Sequence, residues 1–175
     1  AVLAVSATIF YVFVYSMWLK RTSTTNIVVG GAAGAVPVLV GWSAVTGSLD
    51  WPPVVLFLVV FYWTPPHFWA LAIRYRDDYA AAGVPMLPVV TGPRATAHRI
   101  VGYTAILVVV TVVFSPVAEM GAVYLVAALV LGAVFIALAL ALRADPDERR
   151  AMRLFHYSIT YLTLLFGAMV VDVLV

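Results

Sequence analysis

Apolar residues run in long uninterrupted stretches along this chain, separated by short polar breaks, and neither strand alternation nor a one-sided helical stripe explains them. Stretches of about 20 apolar residues fit helices that cross a bilayer. The pattern predicts six such spans, at about 1–19, 27–46, 54–73, 100–114, 122–142 and 154–171. The fourth run is short for a full crossing. Between the third and fourth spans lies the longest non-apolar segment, 74–99, punctuated by Gly83, Pro85, Pro88, Gly92 and Pro93 and expected to be a loop. Its interleaved Met86, Leu87, Val89 and Val90 argue against disorder. The fold class expected is therefore an all-α polytopic membrane protein, a single transmembrane domain over residues 1–175.

Charge sharpens this picture. With six alternating spans, all ten Lys and Arg fall on one side: Lys20 and Arg21, then Arg74, Arg76, Arg94 and Arg99, then Arg143, Arg149, Arg150 and Arg153. The opposite side carries only Asp50, Glu119 and Asp172. By the positive-inside rule the basic loops are cytoplasmic and the C-terminus is external. A mean hydropathy of +1.07 agrees with the membrane class, and the pI near 9.1 reflects orientation. No basic stripe with interleaved aromatics suggests a nucleic-acid partner. The absence of cysteine excludes disulfides and thiolate chemistry. The chain opens on Ala1 inside an apolar run, with no basic region before it and no small-residue cleavage site after it. It reads as a fragment that starts within a span rather than as a signal peptide.

Several local features carry structural expectations. Gly30 and Gly34 form a small-xxx-small pair suited to close helix packing. Asp145 reads as an N-cap, with Pro146 as the first helical residue. His98 is expected on the surface, His156 in an interhelical hydrogen bond, and the five tryptophans mostly in the interfacial belt.

The candidate chemistry lies in WTPPHFWALAIRYRDDYAAAGVPMLP, residues 63–88. Arg74, Arg76, Asp77 and Asp78 place four charges in five residues of a chain that is 10% charged. If the helix continues from Pro66, 100° per residue puts His67, Arg74 and Asp78 within about 20° of one line. Asp77 falls about 80° off it. Such a stripe, about 16 Å long, would form one wall of an active site at the cytoplasmic face. Pro65 and Pro66 free backbone carbonyls, which is tolerated at membrane depth where neighbours or a cavity satisfy them. Carboxylates beside bases at a membrane cavity suit a substrate with an apolar tail and an anionic head. Mg²⁺ binds through one or two carboxylates plus substrate phosphates, and Arg and Lys neutralise phosphate oxygens. The same residues also fit a solvated cytoplasmic loop, and His67 fits either a hydrogen bond or a metal or haem contact.

Three runs, YSMWLKRTSTTNIVVGGAAGAVPVLVGWSAVTG, WTPPHFWALAIRYRDDYAAAGVPMLPVVTG and LFHYSITYLTLLFGAMVVD, resemble the protoheme IX farnesyltransferases (haem O synthases), a group of the UbiA-type intramembrane prenyltransferases. The resemblance covers essentially the whole chain. It implies an all-helical nine-span fold in a bacterial cytoplasmic membrane, of which the last six spans are present. It also implies transfer of a farnesyl group from farnesyl diphosphate to a vinyl group of haem B, giving haem O for terminal oxidases. Mg²⁺ would be the cofactor, and a downstream haem-processing enzyme a partner. The family's first acidic motif, N-x-x-x-D-x-x-x-D, is absent, since Asn26 is the only asparagine and lacks that spacing. Half of the metal site is therefore expected, and the fragment alone is expected to be inactive. Carried over by motif, Asp78 and its neighbour Asp77 belong to the second acidic motif. Lys20, Arg21 and Asn26 match the K-R…N stretch, and His67 matches P-P-H-F. Arg74, Arg76 and Tyr79 join them as substrate-binding candidates. Two alternatives stay open: a UbiA-type enzyme with a quinone-precursor, chlorophyllide or other lipid acceptor, and half of a transporter with the broken third span lining its path.

Overall fold

A computed structural model describes residues 1–175 and contains helices and turns only. The helices are α1 (Val2–Thr22), α2 (Asn26–Thr46), α3 (Trp51–Arg74), α4 (Arg76–Ala81), α5 (Leu87–Val117), α6 (Ala122–Ala144) and α7 (Glu148–Leu174). All but α4 are long and apolar enough to cross a membrane. The middle of α1, Phe10–Leu19, is wound as a π-helix. Following the chain from helix to helix, all ten bases lie at one end of the bundle.

Local chemistry sets the ends. Pro52 and Pro53 sit in the first turn of α3, and Pro88 in that of α5, where the missing N–H has no partner to lose. Gly47, at φ 71°, closes α2 and donates its N–H to Ser43 O at 3.1 Å. Gly83, at φ 66°, ends α4 in a paired turn, with Gly83 N donating to Ala80 O and Val84 N to Tyr79 O.

Two sequence readings change here. Most of the loop expected over 74–99 is helical: α4 covers Arg76–Ala81, and the helix that contains the fourth apolar run begins at Leu87, well ahead of that run. Pro88 marks a helix start, and the helix bends only at Gly92 (φ 81°, ψ 164°), after which Pro93 resumes it. At about 1.5 Å per residue, α5 exceeds the roughly 30 Å hydrocarbon core, so its basic first turns extend past the membrane. The cap of the last helix is Asp147, whose carboxylate accepts from Arg150 N at 2.6 Å. Asp145 instead pairs with the Arg150 side chain. One acid two residues nearer the helix reaches the orphan N–H groups, which Asp145 cannot.

α3 is the hub. It packs against α2, α5 and α7, and α5, α6 and α7 close a ring with it. Trp69, Phe114, Tyr124, Phe135 and Tyr161 fill the interior and are at most 1% exposed. Polar groups join the helices where lipid offers no partner: Tyr161 Oη and Thr111 Oγ1 lie 2.8 Å apart, and Tyr124 Oη donates to Thr111 O at 2.9 Å. α1 packs on α2 alone and buries none of its residues. Gly30 lies directly beneath the Tyr15 ring and Gly31 against Thr64, whereas a Cβ on Gly34 would meet nothing. The close approach expected of Gly30 and Gly34 is thus made by Gly30 and Gly31.

At the far end of the bundle, α7 caps α6. Asp172 accepts from Gly121 N at 2.5 Å and from Tyr124 N at 3.0 Å. Asp172→Ala removes both bonds and is expected to cost about 1–2 kcal/mol, as for loss of a strong N-cap. Reversible unfolding in detergent checks this; an unchanged midpoint would show that lipid or water replaces the carboxylate.

Candidate functional site

The predicted charged stripe does not exist as a stripe. α3 runs unbroken through Pro65 and Pro66 but ends at Arg74, and Tyr75 (φ −101°, ψ 26°) turns the chain before α4 starts. Asp78 therefore sits on a different helix from His67 and Arg74. His67 is buried, while Arg74, Asp77 and Asp78 are exposed. Arg74 pairs with Glu148 of α7 at 2.8 Å, and Arg76 with Asp77 at 3.2 Å. Asp78 has neither an ion pair nor a side-chain hydrogen bond, which leaves it as the free carboxylate of the segment.

Folding does bring together the two stretches that sequence distance separates. Asn26, only 1% exposed, opens α2 at the basic end of the bundle. Its amide nitrogen lies 3.4 Å from Lys20 O and 3.7 Å from Met86 Sδ, and its oxygen accepts from Ile27 N at 2.6 Å. One buried amide thus holds the Lys20–Arg21 turn to the segment between α4 and α5. Lys20 and Arg21 remain exposed, and Tyr79 is half-buried against the core. Asn26 is accordingly a clamp for the rim.

Below this rim lies an apolar cavity of about 760 Å³ between α1, α2 and α3. Tyr11 and Tyr15 of α1, Gly34 and Pro37 of α2, and Trp63 and Phe68 of α3 form its walls. Gly34 leaves space here, whereas Gly30 and Gly31 make the close helix contacts. Sequence reasoning missed this cavity because a run of Gly and Ala reads equally as packing surface and as void.

His67 lies on α3 between the cavity-lining Trp63 and Phe68, with its ring against α7. Its Nδ1 lies 2.7 Å from Ser158 Oγ, and its ring stacks on Trp63 (4.3 Å between centroids) and Phe155 (4.6 Å). Trp63 Nε1 donates to Ser158 O at 2.7 Å, locking the group to α7. Ser158 carried no signal in the sequence, being 91 residues from His67. His156, for which an interhelical bond was expected, is exposed; Ser158, two residues on, makes that bond instead. His98 is exposed as expected, bonded within its own helix to Arg94 O. Trp18 and Trp51 are exposed near helix ends, but Trp63 and Trp69 are internal, contrary to a belt role for them.

Oxygen donors adjacent in sequence and open to water suit a hard cation that keeps substrate phosphates among its ligands. Asp77 and Asp78 fit that description. No cluster of three His, Cys, Asp or Glu side chains completes an all-protein site.

A family model described as the UbiA prenyltransferase family matches residues 1–166. Among curated proteins, the chain is 62% identical to a protoheme IX farnesyltransferase of Parafrankia sp. (strain EAN1pec), over 97% of this chain and 55% of that protein. It is 58% identical to the protein of that name from Frankia alni, over 100% of this chain and 62% of that one. For Gloeobacter violaceus the identity is 57%, over 98% and 57%. The chain therefore spans little more than half the length of these relatives. A solved digeranylgeranylglyceryl phosphate synthase superposes with a TM-score of 0.84 at 17% identity, over 98% of this chain and 60% of that one. That likeness shows a shared fold.

Proposed function

Because this chain belongs to the UbiA prenyltransferase family, we propose that it forms part of a bacterial membrane enzyme that transfers a farnesyl group from farnesyl diphosphate to a vinyl group of protoheme IX, giving haem O. The observation that carries this reading is the pairing of a charged rim with an apolar cavity directly below it. Such a site takes a substrate with an anionic head and a long apolar tail. The choice of haem as acceptor follows the name of relatives up to 62% identical.

In this reading the carboxylates of Asp78 and Asp77 would hold Mg²⁺ together with the substrate's phosphates. The bound cation supplies charge neutralisation for the leaving group. Lys20 and Arg21, free of ion pairs, add positive charge from the facing turn, and Tyr79 fixes α4 against the bundle. Arg74 and Arg76 already have carboxylate partners and contribute less. The cavity walls exclude water from the allylic centre as positive charge develops, and fixed groups at the rim stabilise the departing anion. The farnesyl C1–O bond breaks, diphosphate leaves with the electron pair, and the vinyl carbon of haem bonds to C1. Water then adds to the porphyrin-side cation and releases a proton.

Membranes holding the full-length protein, supplied with farnesyl diphosphate, haem B and Mg²⁺, are expected to form hydroxyethylfarnesyl haem, detected by mass spectrometry. Prenylation of a quinone precursor with haem untouched would overturn the acceptor.

The same reading orients the bundle. Reporter fusions after Arg21 and Asp147 are expected to report a cytoplasmic location, and those after Thr46 and Val175 an external one. A cytoplasmic Val175 would put the rim on the wrong side of the membrane.

A further inference from the structure

Resting on haem as the acceptor, we propose that Nε2 of His67 is an axial ligand to the iron of the haem substrate, with Ser158 as the residue that positions the ring.

The hydrogen bonds decide which nitrogen is free. Ser158 Oγ lies 2.6 Å from Phe155 O, a carbonyl that only accepts, so the single hydroxyl proton is committed there. Toward His67 the same oxygen is the acceptor, and Nδ1 carries the ring proton. A neutral imidazole in this tautomer has its lone pair on Nε2. A ring whose Nδ1–H is held by a fixed acceptor, with Nε2 free, is the arrangement that orients and strengthens a histidine ligand to a metal.

Nε2 also has a use to find. No side-chain or backbone hydrogen bond reaches it. It is not sealed either, because the buried side-chain polar atoms that lack partners are Trp42 Nε1, Trp69 Nε1 and Thr104 Oγ1. A histidine present only for packing would leave an acceptor unmatched at membrane depth, where an apolar ring of similar size would carry no such penalty. Two of the side chains that the His67 ring touches, Trp63 and Phe68, line the cavity, although His67 is not itself part of the wall. Ser158 and α7 hold one edge of the imidazole, and Nε2 lies across the ring from that edge. Trp63 and Phe155 stack on its two faces, so the ring cannot turn away, and Phe68 meets it edge-on at 5.0 Å. These aromatic walls also suit a flat apolar macrocycle. Iron held at this point would fix the centre of the porphyrin relative to the prenyl tail, and its rotation about the iron–nitrogen bond would be left to the surrounding walls.

The test is optical, with the full-length protein in nanodiscs titrated with haem B. Wild type is expected to show the Soret and visible bands of a histidine-ligated haem. His67→Gly should lose them, and added imidazole should restore them. His67→Met, which keeps the bulk of the side chain, should convert the spectrum to that of a thioether-ligated haem. Ser158→Ala should keep the ligated spectrum but weaken haem affinity about 10–100-fold, as for other groups that orient a metal-bound histidine. Bound haem whose spectrum is the same in wild type, His67→Gly and His67→Met would overturn the ligation and leave haem as the acceptor. A wild-type protein that takes up no haem would overturn both.

Discussion

Replacing Asp78 by Asn in the full-length enzyme is expected to lower the rate of haem farnesylation about 10²–10³-fold, with substrate turnover affected more than protein abundance. The amide keeps the size of the side chain and removes its charge. Asp78 is the carboxylate of α4 without a cation beside it, so its oxygens are available to a metal on the diphosphate. Asp77 points into solvent, with 92% of its side chain exposed, and lies 3.2 Å from Arg76 Nε. Asp77→Asn is therefore expected to cost less, about tenfold at most. The helical-stripe argument predicted the same order for a different reason, and that reason fails because the helix breaks at Tyr75. Haem O formation in membranes with matched expression measures both variants. A larger loss for Asp77→Asn would move the metal to the other carboxylate. Losses under twofold for both would make this segment an ordinary solvated loop end.

Phe135→Ala is expected to give the largest loss of stability, about 3 kcal/mol, with little direct effect on the rim. Phe135 has no exposed surface and packs edge-on against Tyr157 and Tyr161, at 5.7 and 5.1 Å. Removing a buried aromatic ring from a water-soluble core costs about 3–5 kcal/mol. The lower end applies here because separated helices would meet lipid, so lost packing contacts dominate and the transfer term is small. Gly132, one turn earlier on α6, already lies against Val108 of α5, so the helices cannot close further over the void. Unfolding of the purified protein in mixed micelles reads this directly. A shift below 1 kcal/mol would mean that the ring is replaced by a neighbouring side chain or by lipid.

The two predictions draw on different parts of the sequence. Span number, helical class and the gathering of all bases at one end were legible because water-to-lipid transfer and the positive-inside bias act on composition, residue by residue. The second acidic pair was legible as a charge cluster and as a family motif. Helix boundaries around 74–99 were not, because Gly and Pro serve both as breakers and as helix ends, and only the packing of Met86, Leu87 and Pro88 into the bundle selects the second use. Nor could the sequence separate the two carboxylates, since their difference comes from the turn at Tyr75 and the Arg76 side chain.

By itself, then, the sequence determined that the chain spans a membrane several times, which end carries its charge, and which residue types stand there. The tertiary structure alone decided which of them meet. Asn26, bonded to Lys20, reaches Met86 across 60 residues, and Ser158 sets the tautomer of His67 across 91. It also divided a Gly-rich helix face between a packing seam at Gly30 and Gly31 and an open cavity wall at Gly34. Hydropathy and charge are sums over neighbours in the chain. A hydrogen bond, a stacked ring and a void depend on the positions of helices brought together only by folding.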